Sequence, residues 1–329
     1  MGLVCPYCGR EQKIEDDKSA TIEEYSLEEA LAGKKSVPLR ALAENGKELR
    51  CRGCGAVTIV TEQSTRCPFC DSPVVLEEAS EDVIVPESVL PFSQNRSQAK
   101  DILRKWVDSR WFAPGDLARR ARKEGMDGVY LPYWSYDAET NTEYDGQKGT
   151  HYYETERRRG KRVRVRKTSW ESVSGMVPLS FDDVIVCASE SLPGELVRQL
   201  EPWDLGELRS FQPSYLSGFV TERHRVDLQK GFDGAKERMA RQIEEAIRRD
   251  IEGDEQRINS SRTQHNNVRF KMLLLPLWIS SYRYKNEVYR FIVNARTGEP
   301  AGERPYSVAK ISLAVASALG ALGFLSWLF

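Results

Sequence analysis

Residues 128–140 read GVYLPYWSYDAET, and residues 272–284 read MLLLPLWISSYRY. Each stretch is a continuous apolar and aromatic run, which is typical of a buried strand. Both runs contain the pattern LPxW, which begins at Leu131 and at Leu275, an offset of 144 residues (275 − 131). The repeat predicts two halves of an α+β body, neither of which can bury its sheet face alone. A chance match of a short pattern is the alternative.

An amphipathic helix is predicted before each run. Residues 97–111 and 235–251 place apolar side chains at intervals of three and four, so that each helix buries one face. We therefore expect a duplicated helix-plus-β-hairpin body with an antiparallel sheet. Its first α+β unit, with a basic hairpin, covers residues 81–180, and its second, with connecting loops, covers residues 181–306.

The C-terminal stretch, residues 311–329, reads ISLAVASALGALGFLSWLF and contains no charged residue. A bilayer core about 30 Å thick requires about 20 apolar helical residues. The stretch therefore predicts a single-pass transmembrane tail anchor at residues 307–329, with the cell membrane as a partner. Arg304 and Lys310 precede the uncharged stretch, which favours a cytoplasmic position for the bulk of the chain. A buried core helix is the alternative, but the stretch lacks a polar stripe.

Cysteine spacing predicts a zinc ribbon at residues 45–80. Six of the seven cysteines of this 329-residue chain occur in CxxC pairs, which fits metal binding in a reducing compartment better than disulfides. Two of these pairs lie within residues 51–72 and provide a complete set of four ligands: Cys51, Cys54, Cys67 and Cys70. Four thiolates close a tetrahedral Zn²⁺ site that leaves no position for water, as in structural zinc sites.

Cys5 and Cys8 form only half of a second site, followed by a helical spacer within residues 1–44. Four interpretations remain open: a degenerate half-ribbon without metal, a zinc ion shared between two chains, a second zinc ion with other ligands, or replacement of one of the later pairs. Cys187 lies in an apolar run and is expected to be a packed core residue.

A predicted hairpin has a strongly basic tip, RRRGKRVRVRK, at residues 157–167. Alternation along a strand predicts one cationic face and one apolar face. The face could contact an anion, namely lipid headgroups, an acidic protein or nucleic-acid phosphates. Alternatively, it is a solvated edge whose charges are balanced by Glu143, Glu154 and Glu156. The basic residues are Arg157, Arg158, Arg159, Lys161, Arg162, Arg164, Arg166 and Lys167.

The chain contains no motif of a known catalytic site. GxxxxGK[ST], GxSxG and HExxH are missing, and the three histidines are scattered. We read Asp182 and Asp183 as a loop pair, and Arg223–His224–Arg225 as an exposed polar strand more readily than as a phosphate site. The sequence therefore predicts a protein that is not an enzyme.

Several long stretches, among them GVYLPYWSYDA, LEPWDL, FQPSYLSGF and VNARTGEPAGERPYS, resemble a bacterial family. These are the zinc-ribbon membrane proteins labelled TFIIB-type zinc ribbon or primosomal-protein-like, including the YdjG-like proteins of envelope-stress gene clusters. The resemblance extends from about Cys51 to the C-terminus, whereas the family's front end usually carries two complete ribbons. It implies a membrane-associated scaffold with SPFH-type or phage-shock-type protein partners.

Two functions follow as expectations. The favoured one is a membrane-anchored zinc-ribbon adaptor that displays a cytoplasmic protein-interaction platform in envelope-stress or other membrane-associated complexes. The alternative is a replication-associated zinc-ribbon protein that binds nucleic acid through the basic hairpin.

Overall fold

The computed structural model describes residues 2–4, 11–13, 22–33, 47–60, 66–72, 74–77, 84–115, 125–158, 161–216, 218–285 and 287–328. Cys5, Cys8 and Arg159 lie outside the described residues. The alternatives for the N-terminal half-site therefore stay predictions.

The described chain consists mainly of strands. They are β1 (Gly2–Val4), β2 (Glu11–Lys13), β3 (Tyr25–Ser26), β4 (Lys47–Cys51), β5 (Val57–Val60), β6 (Val74–Glu77), β7 (Ser88–Val89), β8 (Asp127–Arg158), β9 (Lys161–Cys187), β10 (Arg209–Ser210), β11 (Val220–Glu222), β12 (Glu255–Tyr284), β13 (Glu287–Asn294) and β14 (Pro300–Gly302). The helices are α1 (Leu27–Leu31), α2 (Arg96–Asp108), α3 (Gly194–Arg198), α4 (Leu228–Ile251) and α5 (Val308–Leu328). Short 3₁₀ turns cover Leu205–Glu207 and Pro213–Leu216.

The two LPxW runs are neighbouring strands at the centre of the sheet. β8 and β12 pair antiparallel, and Leu131 lies directly opposite Leu275. Both leucines are fully buried, as are Trp134 and Trp278. Continuous apolar runs are expected of strands that are covered on both faces. The centre of the sheet therefore forms where the sequence is most apolar.

The predicted fold class is wrong, because the ribbon and the body share one sheet. β3 to β14 form a 12-stranded sheet, through which runs the order β10-β7-β12-β8-β11-β5-β4-β6. The sheet is mixed and not antiparallel, since β7 runs parallel to β12 and β11 runs parallel to β8. The duplicated helix-plus-hairpin body is wrong for the same reason, because the two LPxW strands pair with each other and not within separate units.

The ribbon joins the sheet through β11. This short strand pairs with β8 on one side and with β5 of the ribbon on the other, where Thr221 lies opposite Ile59. β4 then pairs with β5 and β6. The hydrophobic core consequently continues from the body into the ribbon, where it includes Phe69, which is fully buried.

Helix α4 covers one face of the long strands. Asp227 caps its N-terminus by accepting a hydrogen bond from the backbone N–H of Lys230 (2.8 Å). Its buried face includes Ala235, Met239 and Ile243, spaced as an amphipathic helix requires. Near the other end of the helix, Tyr144 Oη of β8 donates a hydrogen bond to Asp250 Oδ2 (2.5 Å). Even-numbered residues of β8 in this region therefore face α4.

Helix α5 follows the sheet and exposes apolar side chains, among them Leu313 (69% exposed) and Leu319 (65% exposed). Within the part of the chain whose side chains the structure describes, no helix combines the length and the apolar character needed to cross a membrane. This finding overturns the predicted C-terminal transmembrane helix and tail anchor. The predicted membrane partner and the single-pass location in the cell membrane, which both depended on that helix, are wrong with it.

Candidate functional site

The four cysteines of the ribbon converge on one point. Cys51 Sγ lies 3.5 Å from Cys70 Sγ, and Cys54 Sγ lies 3.7 Å from Cys67 Sγ. All four sulfur atoms lie within 4.8 Å of one another. A tetrahedral metal with metal–sulfur bonds of about 2.3 Å places its sulfur ligands roughly 3.8 Å apart. The four thiols therefore fit around one metal ion.

The backbone of the two turns follows the same pattern. In the first, Cys51 N–H donates to Ala56 O (2.9 Å) and Gly55 N–H donates to Cys51 O (2.8 Å). The residue after its second cysteine, Gly55, has φ = +74°, which glycine adopts without strain. The spacing of the two cysteines and this glycine are visible in the sequence.

The second turn repeats these hydrogen bonds with different residues. Cys67 N–H donates to Ser72 O (2.9 Å), and Asp71 N–H donates to Cys67 O (2.8 Å). Asp71 takes the left-handed conformation (φ = 56°) that Gly55 takes in the first turn, and Asp tolerates it better than most residues. Arg66 Nη1 holds the Asp71 carboxylate at 2.8 Å.

Burial and mutual contact of the four thiols favour binding of a cation. Cys51, Cys67 and Cys70 are buried. The hydrogen bond from Cys67 lowers the pKa of the Cys54 thiol, while the same contact and burial raise the pKa of Cys67. Four thiols in contact resist ionising together, whereas a metal ion stabilises all of them as thiolates. The cluster can therefore bind a metal ion.

The second turn of the ribbon is fixed to the body by hydrogen bonds. Arg290 Nε of β13 donates to Phe69 O (2.7 Å), and Ser281 Oγ of β12 donates to Pro68 O (2.7 Å). Arg283 Nη2 reaches Ser72 Oγ at 3.1 Å. The metal site is thus part of the rigid body of the sheet, a connection that cysteine spacing alone does not reveal.

Asp182 and Asp183, predicted to be a loop pair, belong to a second group of acidic side chains that includes Asp137. The cation in this group is a buried lysine, Lys271, whose Nζ lies 2.7 Å from Asp183 Oδ1 and 2.8 Å from Glu24 Oε1. Burial would lower the pKa of Lys271, but its hydrogen bonds to Asp183 and Glu24 raise it. No local pattern in the sequence marks Lys271, because its partners Glu24 and Asp183 are distant in the chain.

The polar stretch Arg223–His224–Arg225 does not converge on one point. His224 packs edge-on against Trp134 at 5.3 Å between ring centroids, and burial lowers its pKa to about 4. Arg225 Nη2 forms an ion pair with Glu190 at 3.5 Å. These contacts fit a structural role.

The basic hairpin is a two-stranded arm. β12 begins opposite Gly149, whereas the pairing of β8 with β9 continues to Arg158 and Lys161. At about 3.4 Å per residue, the unsupported part extends roughly 30 Å. We refer to residues 150–158 and 161–169 as the arm. Helix α4 ends below it, since Ile251 packs against Gly146.

The strand register sorts the charges of the arm onto two faces. Arg157 pairs with Arg162, Thr155 with Arg164, and Tyr153 with Arg166. Directly paired residues point to the same face, so one face carries these four arginines and Tyr153. This surface, which we call the arginine face, is opposite the side of the sheet that α4 covers.

The other face of the arm carries the carboxylates. Glu154 pairs with Val165 and Glu156 with Val163. Both carboxylates bind Lys167, whose Nζ lies 2.5 Å from Glu154 and 3.0 Å from Glu156. Among the described residues, no carboxylate forms an ion pair with the four arginines. The predicted balancing of their charge by Glu154 and Glu156 is therefore not seen in the described part of the arm.

Comparisons with known proteins add little to this picture. The chain is 27% identical over 231 residues to a protein of Bacillus subtilis (strain 168) described as uncharacterized protein YdjG. The aligned stretch covers 70% of this chain but 66% of that relative, slightly under two thirds of its length. No family model matches the chain, and no solved structure matches it. Function is therefore inferred from the geometry of the chain itself.

Proposed function

We propose that the chain is a non-catalytic binding scaffold. A Zn²⁺ ion closes the cysteine quartet and stabilises the ribbon, the shared sheet forms a rigid base, and the arm binds an anionic partner. The observation that supports this proposal is the separation of charge on the arm: the four arginines form no ion pair with a carboxylate among the described residues. Arg166 interacts only at longer range, with the carboxylate of Glu255.

Zinc is the metal that we assign to the quartet. A set of four thiolates with tetrahedral spacing suits Zn²⁺, which has no redox chemistry and forms closed structural sites of this type. Metal analysis of the purified chain should show zinc. Cys67→Ser should remove one equivalent, whereas Cys187→Ala, which changes a cysteine outside the quartet, should not. Iron in place of zinc would contradict the assignment.

Arginines on an exposed strand that form no ion pair in the described part of the arm favour an anionic partner over a purely protective role. Charges that only deter edge pairing do not need to lie on one face, because either orientation blocks an incoming strand. Here the strand alternation concentrates them on one surface over roughly half the length of the arm. A planar guanidinium group binds carboxylates and phosphates well.

Binding of generic polyanions tests this function. Titration of the full chain with polyglutamate and polyphosphate at low salt should give saturable binding to at least one of them. Arg162→Gln, Arg164→Gln and Arg166→Gln together should weaken it at least tenfold, since each arginine contributes one charged contact.

The matched control removes the same number of charges elsewhere. Lys100, Arg104 and Lys105 are exposed on α2, and changing all three to Gln should leave binding almost unchanged. Equal losses in both triple variants would show that net charge, and not the arm, causes binding. Absence of binding to either polyanion would contradict the proposed function.

A further inference from the structure

Two aromatic rings accompany the arginines on the arginine face and its continuation. Tyr153 pairs with Arg166 across the two strands of the arm and is 56% exposed. Trp170 pairs with Gly149 at the base of the arm, and by strand alternation it points to the same face as Arg166. One aromatic ring therefore lies beside the row of charges, and the other lies at the base of the arm, with one pair of facing residues between it and the row.

Each ring already stacks with an arginine. The guanidinium carbon of Arg164 lies 4.2 Å from the centre of the Tyr153 ring, and that of Arg257 lies 3.8 Å from the centre of the Trp170 ring. Both Arg164 and Arg257 are exposed, so each guanidinium can present a side to a ligand while it contacts its ring. A planar, electron-rich group can then stack on the guanidinium while its charged neighbours bind phosphates.

Arg162, Arg164 and Arg166 follow one another at every second residue of β9, so they are separated by about 6.8 Å along the strand. A row of charges at regular intervals with flat stacking surfaces beside them matches a chain of phosphates that carries bases. Neither an acidic peptide nor polyphosphate would use the rings. Bases are available for stacking only when they are not already stacked in a duplex.

From these observations we infer that the arginine face binds single-stranded nucleic acid. The phosphates of one strand lie along the four arginines, and bases stack on the arginine–aromatic pairs at Tyr153 and Trp170. Glu255 lies between Arg166 and the Trp170–Arg257 pair, where its Oε1 accepts a hydrogen bond from His151 Nε2 (2.7 Å, in the tautomer that carries this proton) and from Thr168 Oγ1 (3.3 Å). The inference rests on the proposed function and specifies the partner of the same arm.

The test compares ligands with and without bases on the full chain. Fluorescence anisotropy with labelled oligo(dT) and oligo(U), with polyphosphate, polyglutamate and a DNA duplex as competitors, ranks the ligands at one ionic strength. We expect the single strands to bind at least tenfold more tightly than polyphosphate or duplex. The slope of log K against log salt should become less steep by roughly 2 when Arg162, Arg164 and Arg166 are changed to Gln, at about 0.7 per phosphate contact.

Variants of Tyr153 distinguish recognition of bases by stacking from recognition of phosphates by charge. Tyr153→Ala should weaken oligo(dT) binding roughly tenfold, as loss of one stacked base predicts, but leave polyphosphate binding unchanged. Tyr153→Phe keeps the ring and should bind as the original chain does. Because Tyr153 is exposed on the arm, both variants should unfold at the same temperature as the original chain.

Three results would overturn the inference. Polyglutamate that competes better than oligo(dT) would assign the arm to an acidic protein. Equal affinity for polyphosphate and oligo(dT), with no effect of Tyr153→Ala, would show that charge alone is recognised. Duplex binding as tight as single-strand binding would exclude unstacked bases. In the first two cases the polyanion-binding function stands, whereas failure to bind any polyanion removes both.

Discussion

Trp134 and Trp278 make the same hydrogen bond to two different parts of the chain. Trp134 Nε1 donates to Val226 O, and Trp278 Nε1 donates to Gln94 O, each at 2.8 Å. Each acceptor belongs to the residue just before a helix N-cap, Asp227 of α4 or Asn95 of α2. The two central strands therefore fix the starting points of the two longest helices that pack on the sheet.

Replacing either tryptophan with phenylalanine should cost about 1–3 kcal/mol of unfolding free energy, because a buried carbonyl loses its donor. We expect similar losses for Trp134→Phe and Trp278→Phe in urea denaturation. Trp111→Phe is the control, since Trp111 is 80% exposed and should change stability by less than about 0.5 kcal/mol. An unchanged unfolding free energy at only one of the two positions would show that the two hydrogen bonds contribute unequally to stability.

Removal of the metal should destabilise strands of the body as well as the ribbon. Because Phe69 O and Pro68 O bind Arg290 and Ser281, loss of the metal should increase hydrogen exchange in β13 and the C-terminal part of β12 as well as in β4 and β5. Chelation followed by hydrogen-exchange mass spectrometry measures this. The arm should serve as an internal reference with unchanged exchange. Protection that is lost only in the ribbon would mean that the ribbon unfolds independently.

Arg290→Lys should weaken the connection between β13 and the ribbon without removing a positive charge. Lysine keeps the positive charge beside Glu303 but cannot reproduce the fixed geometry with which the guanidinium binds Glu303 (Nη1, 3.3 Å) and Phe69 O together. We expect a loss of about 1–2 kcal/mol in unfolding free energy and faster release of zinc to a chelator. Arg283→Lys, at the exposed contact with Ser72, should have a smaller effect on both quantities.

Lys271 should be important for stability. Lys271→Met leaves Asp183 and Glu24 without their shared cation, which we expect to cost about 2 kcal/mol. This cost is smaller than the one expected for breaking a fully buried ion pair, because the carboxylates remain partly exposed. Lys230→Met, which breaks the surface pair with Glu190, should cost less than about 1 kcal/mol. Equal effects in thermal unfolding would contradict a special role for the internal pair.

Asp137 should make stability depend on pH in the same region. Burial raises the pKa of Asp137 to about 6 in the folded chain, above the ordinary value of 3.8 for an aspartate. The folded state therefore holds this proton more tightly, and its contribution to stability is present below about pH 4 and is lost as the pH rises through about 6.

Asp137→Asn removes this titration. Between pH 4 and pH 6, the unfolding free energy of the variant should rise relative to that of the original chain by an amount on the order of 1 kcal/mol. Above pH 7 the difference between the two should stay constant. Urea denaturation at a series of pH values measures it. A difference that does not change with pH would show that Asp137 does not titrate in this range.

Local patterns were sufficient for the cysteine quartet but not for the sheet. Two CxxC pairs and the glycine after Cys54 define the metal site within one short stretch. The repeat of LPxW correctly marks two buried strands, yet similarity does not say that Leu131 and Leu275 pair with each other. The short strands β7 and β11, which make the sheet mixed and join the ribbon to it, have two and three residues and no periodic pattern.

The sorting of charges on the arm was accessible from the sequence. Once Arg158 pairs with Lys161, counting along the two strands puts Glu154 and Glu156 opposite valines. Placing Glu154 and Glu156 across the hairpin from the arginines, without counting the alternation along the strands, misses this sorting. For the C-terminus, the uncharged stretch predicts a membrane-spanning helix. A helix does form at Val308–Leu328, but its described part does not combine the length and apolar character needed to span.

The pairing of Leu131 with Leu275 imposes an order on biosynthesis. The ribbon, β8 and β9 all leave the ribosome before β12 exists, so the newly made half of the chain presents β8 with its future central edge open. Until residue 284 has emerged, that edge has no native partner, and closing it requires contact across a long span of intervening chain. Chains that end before β12 should therefore depend on chaperones to remain free of aggregates.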